Sequence, residues 1–158
     1  MISKRGVGTA APQKARILVV DDEPAIRGLL RLHLQNDGHE VVEAPDALVA
    51  GKMILAKAWR IDLLIVDAHM PYMNGIDFAA AVIGDTTLPP VPIILITGHN
   101  DLAERADVLR VPCLVKPFTA DTLATIVGKT LAAGKLMASD AALRERSMAT
   151  LSAQARRA

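Results

Sequence analysis

Five residues of this sequence carry side chains that could do chemistry together: Asp21, Asp22, Asp67, Thr97 and Lys116. Each stands at or just past the end of a short apolar run: Arg16 to Val20, Asp62 to Val66, Ile93 to Ile96, and Cys113 to Val115. Three carboxylates brought to one place repel one another at neutral pH. A divalent cation resolves that repulsion, and an all-oxygen donor set favours magnesium over zinc. Magnesium keeps several waters and commonly bridges protein carboxylates to phosphate oxygens. A lysine adds a fixed positive charge and a threonine a hydroxyl donor. Metal, ammonium and hydroxyl around one carboxylate make a phosphoryl-transfer site, where positioning and charge neutralisation do most of the work. The carboxylate can itself be the nucleophile and form an aspartyl phosphate. Taken singly, each residue reads as a cap, a solvated acid or an ordinary strand end. Their joint appearance at the ends of successive strands carries the reading.

The elements that must position them alternate along the chain. The runs at 16–20, 40–44, 62–67, 93–96 and 113–115 read as strands, bounded by turn-prone residues. Pro24 opens a helix whose stripe is Ile26, Leu29, Leu30 and Leu34, with His33 half-buried beside it and Gly38 as its stop. A second helix is predicted over 46–58 with Leu48, Ile54 and Leu55 inward, a third over 76–83, and a fourth over 101–109. Thr119 caps a fifth, running to about Ala133 with Leu123, Ile126, Val127 and Leu131 inward and Gly134 as its end. Five βα units in sequence argue for an α/β fold, a doubly wound parallel sheet. Such sheets bind ligands beyond the carboxyl ends of their strands, where the five reactive residues stand.

The chain has 158 residues, enough for one domain with a real core, and 3% aromatics, so that core must be aliphatic. No apolar run approaches the length of a membrane span. Residues 1–15 lack the apolar centre of a signal peptide and read as a flexible lead-in. A single cysteine excludes an internal disulfide and fits a reducing compartment, so a cytoplasmic location is expected. The net charge of +1 is unevenly spread, with basic ends flanking an acidic body over 17–133. Residues 134–158 are too short for an effector domain and carry one weakly amphipathic stretch, Leu143, Met148 and Leu151. Three roles stay open for this helical or disordered tail: packing on the body, pairing with another chain as a homodimer, or fraying. No helix-turn-helix pattern is present, so sequence-specific DNA binding is not expected.

At this point the sequence closely resembles the receiver domain of two-component response regulators. The resemblance covers residues 16–133 and rests on VVDDE at 19–23, VDAHMPYMNG at 66–75, ITG at 96–98 and LVKPF at 114–118. It implies a flavodoxin-like five-stranded sheet of order 2-1-3-4-5 and a cis peptide between Lys116 and Pro117. It implies that Asp67 is the phosphoacceptor, and that Asp22, Asp67 and the backbone carbonyl of His69 bind Mg2+, with Asp21 helping through water. Lys116, Thr97 and Ala68 would hold the phosphoryl group, and Thr97 would be the switch hydroxyl. Cys113 stands at the second switch position, where receivers usually carry an aromatic residue. The stretch from Thr97 to Lys116 is a few residues short, on the side where family members usually signal. His69 and His99, each two residues past Asp67 or Thr97, flank the path of an attacking water and are candidates for tuning dephosphorylation.

The implied function is a stand-alone, chemotaxis-regulator-like receiver in a phosphorelay. It would take phosphate from a histidine kinase or histidine phosphotransfer protein and switch binding to a downstream protein that the sequence does not identify. It would be modified without being a turnover enzyme. Two rival classes bear on the same residues. An aspartyl-phosphate hydrolase uses carboxylates, threonine, lysine and magnesium, but its nucleophile ends the first strand and is followed two positions on by an acid; here that position is His69. A phosphorylation-independent adaptor would have no need for the complete acid, hydroxyl and lysine set.

Overall fold

The computed structural model describes residues 14–56, 60–98, 106 and 109–136. Residues 1–13 of the lead-in, all of the tail beyond Leu136, His99 and most of the expected fourth helix therefore lie outside the described residues, whereas Ala15, expected in the flexible lead-in, is buried and its carbonyl accepts from the Glu40 amide at 2.9 Å. Five strands are present: β1 (Arg16–Val20), β2 (Glu40–Ala44), β3 (Leu63–Asp67), β4 (Ile93–Thr97) and β5 (Cys113–Val115). They alternate with α1 (Pro24–Asn36), α2 (Ala47–Leu55) and α3 (Gly75–Gly84), and a closing helix occupies residues 120–136. All neighbouring strands pair in parallel, in the order β2-β1-β3-β4-β5.

β3 and β4 are buried at every position, which is why they read as unbroken apolar runs. Alternate side chains point to opposite faces. Leu18, Val20, Leu64, Val66 and Leu95 pack with Ala50 of α2 and Ile76, Phe78 and Ala79 of α3. Ile17, Val19, Leu63, Ile65 and Ile96 pack with Leu30 and Leu34 of α1 and Leu123 and Val127 of the closing helix. The sheet is thus covered on both sides. Its order reverses at β1, which has β2 on one side and β3 on the other. Val20 pairs with Val66, so Asp21 and Asp67 leave their strands at the same level of that switch point.

Pro24 stands at the start of α1, and Gly38 stops it at φ +89°. Asp46 caps α2 by accepting from the Val49 amide, and Asn74 caps α3 by accepting from Asp77. Thr119 caps the closing helix through the Thr122 amide at 3.1 Å. The Lys116–Pro117 peptide is cis.

Several apolar assignments differ from the sequence expectation. Leu29 is exposed, and α1 turns Leu30 and Leu34 inward at a spacing of four. Leu48 is 69% exposed and Leu55 is exposed too. The Asp46 cap starts α2 one residue later than expected, and the helix turns Val49, Ala50, Met53 and Ile54 to the core cluster, leaving Leu48 and Leu55 outside it. β3 starts at Leu63, because the Asp62 carboxylate accepts from the Arg16 amide at 2.8 Å. Gly134 does not end the last helix, which continues to Leu136. A Cβ on Gly134 would lie 2.7 Å from Pro92 Cγ, so this glycine serves close packing and not termination. No helix among the described residues is long and apolar enough to cross a membrane.

Candidate functional site

The turns after β1, β3 and β5 bring four of the five reactive residues into direct proximity. The carboxylates of Asp21, Asp22 and Asp67 offer oxygens that all lie within 4.8 Å of one another. The Lys116 ammonium sits 3.8 Å from Asp21 Oδ2 and 3.7 Å from Asp67 Oδ2. Asp21 is 1% exposed and Asp67 is buried, whereas Asp22 faces solvent. Thr97 is buried at the end of β4, and the Lys116 amide donates to its carbonyl at 2.7 Å. That bond fixes the start of the Lys116 side chain beside the end of β4.

Each acidic loop is tied down by backbone bonds. The Asp21 amide donates to Ala44 at 3.2 Å, and the Glu23 amide donates to Asp21 Oδ1 at 2.8 Å. The Ala68 amide donates to Ile96 at 2.8 Å, and the Gly75 amide donates to Ala68 at 2.9 Å. The His69 amide donates to Asp67 Oδ1 at 3.1 Å. Sequence reasoning missed two features here. One is the His69 amide, already aimed at the Asp67 carboxylate while the Ala68 amide is engaged by the strand ladder. The other is Gly75, the first residue of α3, packed so tightly on β3 that a Cβ would lie 2.0 Å from the Asp67 carbonyl oxygen. The glycine of the motif signalled a turn, but only the folded chain reveals the contact.

Three carboxylates against one lysine leave two negative charges uncompensated when all are ionised. Burial, opposed by the Glu23 amide and helped by the charge of Asp67, pushes the Asp21 carboxyl up to about 6. Asp21 Oδ2 is shielded from solvent and has no hydrogen-bond partner. An orphaned buried oxygen, an all-carboxylate donor set and a charge deficit of two fit a hard divalent cation of the magnesium class.

The stability of the metal-free domain follows from this. A carboxyl with a pKa of 3.8 when unfolded and about 6 when folded favours folding most when protonated. Its contribution is complete below 3.8 and is lost as pH rises through 6. Asp21→Asn is therefore expected to stabilise the metal-free domain at pH 7 by on the order of 2 kcal/mol, with the gain fading below pH 4. Melting curves of both proteins across pH, with a chelator present, check this. A gain independent of pH contradicts it.

The remaining candidates are placed less centrally. His69 is exposed directly after the Asp67–Ala68 pair. Cys113 is half-buried on β5, packed against the cluster under α2 and α3 and in register with Leu95. His99 lies outside the described residues.

Comparison with known proteins places the chain in a group. The family described as response regulator receiver domain matches residues 17–128. Transcriptional regulatory protein PdtaR of Mycobacterium tuberculosis is 38% identical over 110 residues, 68% of this chain and 52% of that protein. The chain thus spans about half the length of that relative. Chemotaxis protein CheY1 of Helicobacter pylori is 36% identical over 112 residues, 68% of this chain and 90% of that protein. Among solved structures, response regulator protein TrrA from Thermotoga maritima, in complex with Mg(2+)-BeF, is similar with a TM-score of 0.66 and 34% identity. That likeness covers 75% of this chain and 99% of the other.

Proposed function

The chain belongs to the response regulator receiver domain family, and on that premise we propose that Asp67 accepts a phosphoryl group from a histidine kinase or histidine phosphotransfer protein, switching the domain's binding to a partner protein. The observation that carries the proposal is the Lys116 ammonium, less than 4 Å from both Asp21 and Asp67 within the three-carboxylate cluster. A structural ion pair needs one acid; this arrangement holds two buried acids around one cation and leaves charge to be balanced by something bound.

In the transfer, an Asp67 carboxylate oxygen bonds to phosphorus as the bond from phosphorus to the donor's imidazole nitrogen breaks. The bonding pair leaves with the imidazole. Lys116, now between Asp21 and Asp67, exchanges one carboxylate contact for the phosphoryl oxygens. The Thr97 hydroxyl is the second protein donor from the adjacent strand. For Ala68 to contribute its amide, the 2.8 Å bond to Ile96 must lengthen, whereas the His69 amide already points at the carboxylate. Asp22, Asp67 and the His69 carbonyl would hold Mg2+, with Asp21 acting through water. Bound there, the ion would offset the charge of the carboxylates and phosphoryl oxygens.

The TrrA complex with Mg(2+)-BeF supports this reading by likeness of fold and sequence. His69, two positions past the nucleophile where a hydrolase carries an acid, supports an acceptor over a turnover enzyme. Incubation with a small acyl phosphate tests the proposal. Intact-mass measurement is expected to give one phosphoryl adduct with magnesium and none with a chelator. Absence of an adduct at millimolar magnesium overturns it.

A further inference from the structure

Arg27 sits on α1, one turn past Pro24, yet its side chain is only 17% exposed. Arginine at a helix surface normally runs its apolar stem along the protein and leaves the guanidinium in water. Here the guanidinium turns inward to the loop that carries two of the three acids. Its Nη1 donates to the backbone carbonyl of Asp21 at 2.7 Å. Its Nε lies 3.5 Å from Glu43 Oε1, is shielded from solvent and makes no hydrogen bond. Burying an arginine this way costs free energy unless its contacts return it. Glu43 belongs to edge strand β2, where Ala44 faces the α2 and α3 side, so Glu43 faces α1. A second arginine of α1, Arg31, also pairs with Glu43 but stays half in solvent and does not touch the loop.

We propose that Arg27 is a positioning residue for the acidic loop, holding the Asp21–Asp22 peptide in the orientation that presents both carboxylates to a divalent cation. This rests on the magnesium-assisted reading of the site given above. Peptide planarity makes this anchor effective. The peptide between Asp21 and Asp22 moves as one rigid unit, so fixing the Asp21 carbonyl fixes the direction in which Asp22 leaves it. The Asp21 side chain is already held by the Glu23 amide and its own amide by Ala44. Arg27 supplies the third anchor, and Glu43 holds Arg27 in turn. Asp22 is the exposed member of the acidic trio, so its placement depends most on its backbone.

Positioning and plain electrostatics act in opposite directions here. A positive charge near the acids repels Mg2+, so if Arg27 acted only through its charge, removing it would tighten binding. If Arg27 positions the loop, removing it weakens binding. Outer partners that orient metal ligands are commonly worth 10- to 100-fold in affinity, and contact through one carbonyl puts Arg27 at about tenfold.

The test is calorimetric titration of Mg2+ into wild type, Arg27→Met and Arg31→Met, together with the rate of adduct formation from a small acyl phosphate against magnesium concentration. Arg27→Met is expected to bind Mg2+ about tenfold more weakly and to need correspondingly more for half-maximal rate, with the rate at saturating magnesium within about twofold of wild type. Arg31→Met, which loses an ion pair to the same Glu43 but no contact with the loop, is expected to match wild type in both. Unchanged or tighter binding by Arg27→Met overturns the proposal, as does an equal loss in Arg31→Met. If Arg27→Met does not fold, Arg27→Lys replaces it. Lysine keeps the charge but replaces the rigid planar fork, whose Nη1 and Nε face Asp21 and Glu43 separately, with one nitrogen on a flexible stem, so a loss of about threefold or more is expected, and wild-type affinity overturns the proposal. Failure of wild type to bind Mg2+ overturns the parent reading instead, which keeps the two failures distinct.

Discussion

Gly75→Ala is expected to destabilise the domain by about 3 kcal/mol or more, the upper range of overpacking substitutions. The added Cβ would lie 2.0 Å from the Asp67 carbonyl oxygen and 2.9 Å from Ala68 Cα. All the atoms it meets are backbone, so no side chain can swing aside. Either α3 retreats from the sheet or the end of β3 moves, and the second course displaces Asp67 itself. Gly28→Ala is the control. Gly28 lies within α1, and a Cβ there meets nothing within 4 Å. The same substitution should stabilise by about 0.5–1 kcal/mol through helix propensity. Denaturant melts of both variants check the pair. Equal shifts in the same direction contradict the close approach described for Gly75.

Lys116→Met is expected to lower the stability of the metal-free domain at pH 7 by about 2 kcal/mol. The lysine is the counter-charge for Asp21 and Asp67, and removing it leaves two buried carboxylates facing each other. The loss is smaller than for a fully buried pair because the lysine side chain is 27% exposed. Three consequences separate this from a packing defect. The loss should shrink as pH falls through about 6, where the Asp21 carboxyl takes up its proton. It should be offset by magnesium through mass action. It should also be recovered in part by adding Asp21→Asn, a coupling that a double-mutant cycle measures. A loss independent of pH and magnesium contradicts the charge account.

Most of the frame was legible in the sequence because the signals were strong and local. Unbroken apolar runs rich in valine and isoleucine marked β1, β3 and β4, and reactive residues stood at their ends. Their meeting at one edge followed from a single inference, a parallel sheet with its switch point at β1. Helix faces were less legible. Leu48 and Leu55 are large and apolar, yet α2 buries Ala50 and packs Val49, Met53 and Ile54 against the same cluster instead, a choice of face set by the helix's start and not by side-chain size. Gly134 carried the usual sign of a helix end, but its partner Pro92 is 42 positions away in sequence and packs on it only in the fold. The inward turn of Arg27 has no sequence signal, since an arginine at the second turn of a helix ordinarily reads as solvated.

The central claim is that Asp67 itself carries the phosphoryl group. Its most direct measurement is fragment mass spectrometry of wild type and Asp67→Asn after incubation with a small acyl phosphate and magnesium. A single adduct is expected on the fragment containing Asp67, and none in Asp67→Asn, whose fold and cooperative melting transition remain intact. An adduct that persists in Asp67→Asn, or that maps to Asp21, Asp22 or His69 in wild type, contradicts it.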